Sequence, residues 1–327
     1  MRFNVYRSGD LEFVEVSNET GLKVTFCNLG ASIYKIHLDR YLLTRNVNSL
    51  FDYKFAQNYY GKTIGRVSNR FKGPNLKIGD TTYRLKPNED NGVVLHGGVD
   101  GLSTRKFNKA ILSYDDKLEV SYSYLSAHKE SGFPGNLLVT VTYTIYKDKN
   151  ELEVSYKAKA DKDTPVSLTN HTYFTLANTD ILPLYLRINS HKYLKTDESL
   201  LPLEEQEVTP CLDFSNSKRI VDGLDDPSLH TARLNGYDHF FYFDEKNEEI
   251  SQLTLNNSKI QLDIFTDFEG VQIYTHGFAS LCELYPKCQP LFNSVAIEPS
   301  DSFFGMSILK TGEVYKRFIK YKFTYKE

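Results

Sequence analysis

Apolar and polar residues alternate with a period of two along much of this 327-residue chain. The clearest run covers residues 137–146, in which the apolar positions are Val139, Val141, Tyr143 and Ile145. Residues 147–150 are polar and suit a turn, and the alternation resumes at Leu152, Val154 and Tyr156. Because successive side chains of a strand point to opposite faces, this pattern predicts an antiparallel hairpin with one buried and one solvent-facing side.

Alternating runs of the same kind recur along the chain, at residues 118–125, 184–188, 259–265 and 314–325. Helical patterns are rare, and residues 226–230 and 51–60 could each hold one short helix. No linker, low-complexity stretch or strict repeat divides the chain. Many short strands joined by turns predict an all-β fold, a large antiparallel β-sandwich with very few short helices. We expect residues 1–327 to form a single domain, with function carried by side chains gathered from distant segments.

Composition and charge describe an ordinary soluble protein, with 40% hydrophobic and 25% charged residues. The net charge of −3 gives no reason to expect nucleic acid or an anionic membrane as a partner. No apolar run reaches the roughly 20 residues that span a bilayer. Residues 1–8 lack the apolar core of a secretory signal. The sequence therefore predicts a cytoplasmic location.

Four cysteines are present, and their spacing suits neither a disulfide framework nor a metal site. Cys27 and Cys211 are isolated, whereas Cys282 and Cys288 lie close together without histidines or a second cysteine pair at ligand spacing. We expect all four to be reduced thiols, as is usual for a cytoplasmic protein.

Five polar segments interrupt the strand-like runs, and they contain the residue types that catalysis uses. They cover residues 65–71, 94–98, 167–176, 236–241 and 295–300. His171 lies in the third segment, among threonine, tyrosine and phenylalanine residues that otherwise favour a strand. Glu298 follows three apolar residues, so its carboxyl is expected to be desolvated unless another group pairs with it.

His171 and Glu298 together suit acid–base chemistry. Histidine exchanges a proton near neutral pH, and desolvation raises the pKa of a carboxyl so that it becomes a useful base. The sequence contains no phosphate-binding loop, Gly-rich dinucleotide fingerprint or nucleophile elbow. We therefore predict proton transfer without a cofactor or a metal. Polar side chains among many aromatic residues suit a sugar, which presents both hydroxyl groups and apolar CH faces.

Six short motifs, in order, resemble those of the aldose 1-epimerase or galactose mutarotase family. They are Gly-Arg-x-x-Asn-Arg at 65–70, Leu-His-Gly-Gly at 95–98, Thr-Asn-His-x-Tyr-Phe at 169–174, Tyr-Asp-His at 237–239, Gly-Val-Gln-Ile-Tyr at 270–274 and the glutamate at 298. The resemblance covers nearly the whole chain. It implies a galactose mutarotase-like supersandwich and cofactor-free interconversion of the α and β anomers of a free hexose.

The resemblance also implies roles for individual residues. Glu298 would take the proton from the C1 hydroxyl, and His171 would protonate the ring oxygen so that the ring opens to the aldehyde. His96 would form a hydrogen bond near the ring oxygen and stabilise the developing charge. Five further residues would bind the sugar: Asn69, Arg70, Tyr173, Asp238 and Gln272. The expected partner is a free aldohexose such as galactose or glucose, and the chain would act as a monomer or a homodimer.

Three other interpretations stay open at the level of sequence. One is epimerisation of a related sugar, either the reducing end of a maltose-like disaccharide or a hexose 6-phosphate. The phosphate would call for more arginines than Arg66 and Arg70. The second is a non-catalytic carbohydrate-binding sandwich, which would not need an acid–base pair. The third is a glycoside hydrolase that uses Asp238 and Glu298 as its two carboxylates, and it leaves His171 without a role.

Several residues near the motifs receive separate predictions. Arg66 is expected to support packing or a structural ion pair rather than to bind sugar. His239 has two equally weighted interpretations: it braces the neighbouring aspartate, or it has no role in the site. Phe107, residues 202–204 and His276 depart from the residues usual in the family, and His276 could reshape the rim of the pocket. These departures bear on the preferred sugar more than on the chemistry.

Overall fold

A computed structural model describes residues 1–47, 50–55, 58–231, 233–277, 291–302 and 307–326. Strands dominate these ranges, as the alternation predicts, and every strand pairing in them is antiparallel. In chain order the strands are β1 (Arg2–Ser8), β2 (Leu11–Ser17), β3 (Leu22–Cys27), β4 (Ser32–Leu38), β5 (Tyr41–Leu42), β6 (Thr63–Ile64), β7 (Arg70–Phe71), β8 (Asn75–Ile78), β9 (Thr81–Arg84), β10 (Val94–Leu95), β11 (Asn108–Ser113), β12 (Lys117–Ser126), β13 (Leu137–Tyr146), β14 (Glu151–Ala160), β15 (Thr164–Pro165), β16 (Thr169–Asn170), β17 (Tyr173–Phe174), β18 (Tyr185–Ile188), β19 (Lys192–Thr196), β20 (Pro202–Glu207), β21 (Lys218–Arg219), β22 (Asp238–Tyr242), β23 (Leu253–Asn256), β24 (Ile260–Thr266), β25 (Gly270–Tyr274), β26 (Val295–Ser300), β27 (Ile308–Leu309) and β28 (Tyr315–Tyr325).

Three large sheets organise these strands. The largest has nine strands in the order β11-β12-β13-β14-β28-β24-β23-β18-β21. A six-stranded sheet has the order β17-β26-β25-β22-β19-β20, and a five-stranded sheet runs from β1 to β5 in chain order. One hydrophobic core joins all three, with members from Val14 in the five-stranded sheet to Phe323 in the nine-stranded sheet. The predicted all-β sandwich is therefore confirmed, and a single domain over residues 1–327 stays a prediction that this shared core supports.

The hairpin predicted from the clearest alternation is formed by β13 and β14, with Val141 opposite Tyr156. Val139, Val141 and Tyr143 have no exposed surface, whereas Thr140 and Thr142 on the other face are partly exposed. β28 pairs along the far side of β14. Burial of one face of each strand removes apolar surface from water, which is the main stabilising contribution to such a sheet.

Helices are few and short within the described ranges, as expected. The α-helix α1 covers Leu50–Phe55, which overlaps the first half of the possible helix at residues 51–60 and begins one residue before it. The second predicted helix is a 3₁₀ turn at Pro227–Leu229, where the Asp226 side chain accepts a hydrogen bond from the Ser228 backbone N–H. Further 3₁₀ turns lie at Asp90–Gly92, Leu102–Thr104, Glu130–Gly132 and Ile220–Gly223.

Cys27 and Cys211 are buried free thiols, and burial raises the pKa of the Cys27 thiol to about 12. Cys282 and Cys288 lie outside the described residues. No helix in the part of the chain that the structure covers has the length and apolar character needed to cross a bilayer.

Candidate active site

A cleft of about 590 Å³ opens on the six-stranded sheet. Four neighbouring strands of that sheet, β17, β26, β25 and β22, supply Tyr173, Glu298, Gln272 and Asp238 to its lining. Gln272 lies directly opposite Glu298 in the β25–β26 register. Because directly paired residues of adjacent strands project from the same face, the register brings the amide and the carboxyl to one side of the sheet.

The ribbon formed by β7 and β10 supplies another wall, with Leu95 paired to Arg70. Asn69 and His96 directly adjoin this pair. The His96 backbone N–H donates to the Asn69 carbonyl, and the Asn69 backbone N–H donates to His96 Nδ1, each at 3.1 Å. These two bonds fix the His96 ring and the main chain of Asn69 at the cleft.

His171 lies between β16 and β17, and main-chain hydrogen bonds fix its position. Its N–H donates to the Lys62 carbonyl at 3.0 Å, and the Gly61 N–H donates to the His171 carbonyl at 2.9 Å. Its ring lies 5.0 Å from the ring of Tyr173, centroid to centroid. The run of strand-forming residues around His171 is thus interrupted where the side chain is needed at the cleft.

His171 and Glu298 face each other, with His171 Nε2 3.3 Å from Glu298 Oε1. Both side chains are almost completely buried, at 5% and 2% exposure. Glu298 Oε2 and His171 Nδ1 have no hydrogen-bond partner in the described structure. Since buried polar atoms are normally paired, two such atoms beside an open cleft indicate a place where a polar ligand binds.

Burial shifts both members of this pair toward their uncharged forms. Desolvation, with a smaller effect of the Asp238 charge, raises the pKa of Glu298 well above its ordinary value, and Arg70 opposes the shift. Desolvation lowers the pKa of His171 to about 3. A neutral carboxyl beside a neutral imidazole contains one exchangeable proton, and so does a carboxylate beside an imidazolium. The equilibrium between these two arrangements therefore does not depend on pH. Coulomb attraction across 3.3 Å opposes this effect of burial and lowers the free-energy cost of the ionised arrangement.

His96 is held in one tautomer. Because its Nδ1 accepts from the Asn69 backbone N–H, the hydrogen of the neutral ring is on Nε2. Desolvation and the neighbouring His171 lower the pKa of His96 well below its ordinary value, which keeps the ring neutral. The two imidazole rings lie edge to face with their centroids 5.3 Å apart. His96 can therefore donate one hydrogen bond beside the acid–base pair.

Four polar side chains form a connected network along the cleft. Glu89 accepts from Arg70 Nε at 3.0 Å and from Arg70 Nη2 at 3.3 Å. Arg70 Nη1 lies 3.7 Å from Asp238 Oδ2, and Gln272 Nε2 donates to Asp238 Oδ1 at 2.6 Å. Burial raises the pKa of Asp238, while Arg70 and the Gln272 hydrogen bond lower it. Such a network offers charged and neutral groups at fixed positions to several hydroxyls.

Tyr59 lines the cleft beside both histidines, although no sequence motif indicated it. Its ring lies 4.8 Å from the His96 ring and 5.7 Å from the His171 ring. Burial raises the pKa of its hydroxyl to about 12, so the group stays protonated. Tyr59 belongs to residues 51–60, which the sequence predicts only as a possible helix. No polar motif in that segment indicated a site residue. Glu89, Asn88, Lys62, Ser103 and Tyr274 also line the cleft and were likewise not chosen.

Three residues of the cleft lining adopt left-handed backbone angles. The φ values are +54° for Tyr59, +59° for Asn69 and +54° for His96. Non-glycine residues occupy this region uncommonly, with asparagine and histidine among the more tolerant types, and such conformations cost of order 1–3 kcal/mol each. The fold retains them at the residues that surround the acid–base pair.

His96, His171 and Glu298 are close enough to raise the question of a metal. One potential ligand atom from each lies within 4.8 Å of the others. However, the Nδ1 atom of His96 is occupied as an acceptor, so its Nε2 bears the hydrogen and has no free lone pair. The donor set therefore does not suit a cation without rearrangement of the Asn69–His96 contact. Absence of a metal stays a prediction.

The structure separates four residues near the motifs from the cleft. Arg66 is buried and donates to the carbonyls of residues 126, 127, 134 and 135, which confirms a structural role, although it pairs with no carboxylate among the described residues. His239 Nδ1 accepts from the Asp238 backbone N–H, so it contacts the main chain and not the carboxylate. His276 is buried against Tyr173 and does not line the cleft rim. Phe107 packs against Tyr124, away from the cleft.

Comparison with known proteins gives a consistent result. The aldose 1-epimerase family model matches residues 12–322. The galactose mutarotase of Homo sapiens is 36% identical over 231 residues, which cover 69% of this chain and 65% of that protein. The aldose 1-epimerase of Haemophilus influenzae is 28% identical over 98% of both chains. The chain thus aligns with about two thirds of the length of the human protein and with nearly all of the bacterial one.

A solved structure matches over the whole fold. The crystal structure of galactose 1-epimerase from Lactobacillus acidophilus superposes with a TM-score of 0.88. The match covers 100% of this chain and 99% of that chain at 26% sequence identity.

Proposed function

The chain belongs to the aldose 1-epimerase family, and we propose that it interconverts the α and β anomers of free aldohexoses such as galactose and glucose. The observation that carries this proposal is the buried, facing pair of His171 and Glu298, both of which line the cleft and each of which has one polar atom without a hydrogen-bond partner in the described structure. A pure binding protein would have no need of two proton-transfer groups at this distance.

Glu298 is the proposed base. In its ionised form the carboxylate accepts the proton of the C1 hydroxyl, and electron density moves from that oxygen to form the carbonyl of the open chain. The positive charge of Arg70 lowers the pKa of Glu298 against the larger effect of burial. A carboxylate in a dry site is a stronger base than one in water, because desolvation raises its proton affinity.

His171 is the proposed acid. Its imidazolium donates a proton to the ring oxygen as the C1–O5 bond breaks, which gives the open-chain hydroxyl. His96, as an Nε2–H donor, stabilises the charge that develops at this oxygen. Rotation about C1–C2 presents the other carbonyl face. On closure His171 takes the hydroxyl proton and Glu298 returns its proton to the carbonyl oxygen, so the pair ends as it began.

The remaining predicted residues are proposed to bind hydroxyls. Asp238, held by Arg70 and Gln272, offers its carboxylate oxygens to hydroxyl donors. Asn69 Nδ2 is buried without a partner and can donate to a sugar oxygen. Such a site rejects a sugar that lacks the matching hydroxyl, because its own polar groups are then left unpaired. Tyr173 contacts His171 and is proposed to hold the ring of the acid in place.

The proposed pair predicts an unusual pH dependence. A second proton binds only when pH falls to the lowered pKa of His171, about 3. The last proton leaves only above the raised pKa of Glu298. We therefore expect kcat/KM to stay level from neutral pH down to about pH 4 and to fall at alkaline pH, measured by polarimetry after subtraction of the enzyme-free rate. An acid limb near 6.5, the ordinary pKa of histidine, would contradict this assignment.

Polarimetry of freshly dissolved α-D-galactose tests the function itself. Catalytic amounts of protein should speed the approach to an unchanged final rotation, with glucose and maltose run in parallel to rank the sugars. An unchanged rate for all three would overturn the proposal in favour of a carbohydrate-binding sandwich. A nitrophenyl glycoside assay separates the hydrolase alternative, which the engagement of Asp238 with Arg70 and Gln272 does not favour. A cytoplasmic location and a monomeric or homodimeric state stay predictions.

A further inference from the structure

Lys62 is a buried cation that lines the cleft, and no carboxylate in the described part of the chain pairs with it. The residue is 3% exposed and lines the same cleft as the acid–base pair. Its ammonium donates one hydrogen bond, to the Tyr53 carbonyl at 3.1 Å, and lies 5.0 Å from the centre of the Tyr53 ring. An ammonium has three hydrogens to donate, so two have no partner among the described residues.

The stem of Lys62 is fixed in place. A side chain on Gly30 would approach its Cβ and Cγ atoms to 3.1 Å, so the lysine packs directly against this glycine, whose φ is +65°. The main chain of Lys62 is held by the hydrogen bond from His171. Lys54 also lines the cleft, and its ammonium contacts Asp10, which Lys106 contacts as well. Lys54 therefore has a carboxylate partner, whereas no carboxylate among the described residues contacts the Lys62 ammonium.

A buried charge is stable only when it is compensated, and Lys62 lacks a compensating charge in the described protein. We propose that Lys62 forms an anion subsite, which binds an acidic group on the sugar substrate. The inference rests on the proposed function, which places the sugar in this cleft. Ser103 and Thr104 line the cleft beside the lysines and add hydroxyl groups that suit an oxyanion.

The proposed reaction restricts where the acidic group can be attached. Ring opening needs a free C1 hydroxyl and a ring oxygen, so the acidic group must lie elsewhere on the sugar. The substrates that fit are therefore acidic aldoses, either a uronate or a sugar 6-phosphate. Arg66 donates to backbone carbonyls and to the Ser126 and Thr164 hydroxyls outside the cleft, so it adds no charge to this subsite.

Substitution of Lys62 by methionine, which keeps the stem and removes the charge, tests this subsite. We expect the ratio of kcat/KM for galacturonate to that for galactose to fall about tenfold to a hundredfold, the loss of one charged hydrogen bond. Galactose 6-phosphate is measured in a parallel arm, and the larger fall identifies the preferred anion. Lys106→Met removes a lysine outside the cleft and should leave both ratios unchanged. Ratios unchanged in Lys62→Met would overturn the proposal.

Sulfate binding tests Lys62 without reference to catalysis or to the folding of a variant. Desolvation lowers the pKa of Lys62 to about 8, so the ammonium is charged below that pH and neutral above it. The titratable side chains close to it, Tyr53 and the Cys27 thiol, have pKa values raised by burial and stay neutral there. Sulfate keeps its charge over this range. Calorimetry should show its affinity for the unmodified protein falling at least about tenfold between pH 7 and pH 10, as an ion pair is lost.

The two proposals fail in different ways. Suppose that no sugar is converted, but that sulfate binds below pH 8 and that this binding is absent in Lys62→Met. The epimerase assignment is then wrong and the subsite stands. If galactose is converted but sulfate affinity is the same at pH 7 and pH 10, the subsite is wrong and the epimerase assignment stands.

Discussion

Replacing Glu298 by glutamine is expected to slow anomer interconversion by at least about 10²–10⁴-fold while sugar binding is largely retained. Glutamine keeps the size and one oxygen acceptor of glutamate, and it cannot accept a proton from the C1 hydroxyl. The carboxyl lies in β26, whose described residues are all buried, so the substitution also removes a desolvated acid from the core. We therefore expect the folded protein to be at least as stable as before.

Two measurements separate turnover from binding in this variant. Polarimetry gives kcat, and calorimetry with galactose gives the Kd. Asp301→Asn is a matched control, because Asp301 is a buried carboxylate directly after the same strand and pairs with Arg317 outside the cleft. It should lower stability and leave turnover unchanged. Substantial residual turnover in Glu298→Gln would remove Glu298 from the role of base.

Replacing His171 by asparagine is expected to lower kcat by about 10²–10⁴-fold, the usual contribution of a general acid. Asparagine keeps a hydrogen-bond donor near the position of the ring and has no proton to give. The change also leaves the buried carboxyl of Glu298 without its partner at 3.3 Å, because the imidazole is removed. Any residual activity should then be lost at alkaline pH according to the titration of Glu298 alone.

The measurement is a comparison of kcat and KM for His171→Asn on the sugar that polarimetry ranks first. His191→Asn serves as a control, since His191 is exposed and pairs with Asp244 on the surface. That variant should match the unmodified protein in both constants. A loss confined to KM in His171→Asn would instead make His171 a binding residue.

Sequence patterns were sufficient where one local rule determined the structure. The β13–β14 hairpin follows from alternation alone, because a shift of one residue would turn every buried side chain toward solvent. Glu298 and His171 could be selected because a polar residue stood within a strand-like run. The antiparallel register that places Gln272 opposite Glu298 joins residues from separate strands, and no local pattern encodes that pairing.

Other parts of the site had no local sequence signal. Tyr59 looks like an ordinary aromatic residue until the fold places it against His96 and His171. Lys62 is charged in a stretch with no other site feature, and its isolation from carboxylates is a property of the packed structure. The tautomer of His96 depends on a main-chain donor at Asn69, which only the backbone geometry reveals. These are contacts between segments distant in sequence, so they become visible only after folding.

The left-handed residues of the cleft combine an unfavourable backbone conformation with side chains that the site uses. Glycine at Tyr59, Asn69 or His96 would release the steric cost of a positive φ. The same change would remove a side chain that contacts the acid–base pair or the proposed sugar. The folded protein therefore keeps an unfavourable backbone conformation at each position together with a side chain at the site, as is common where function holds a backbone in such a conformation.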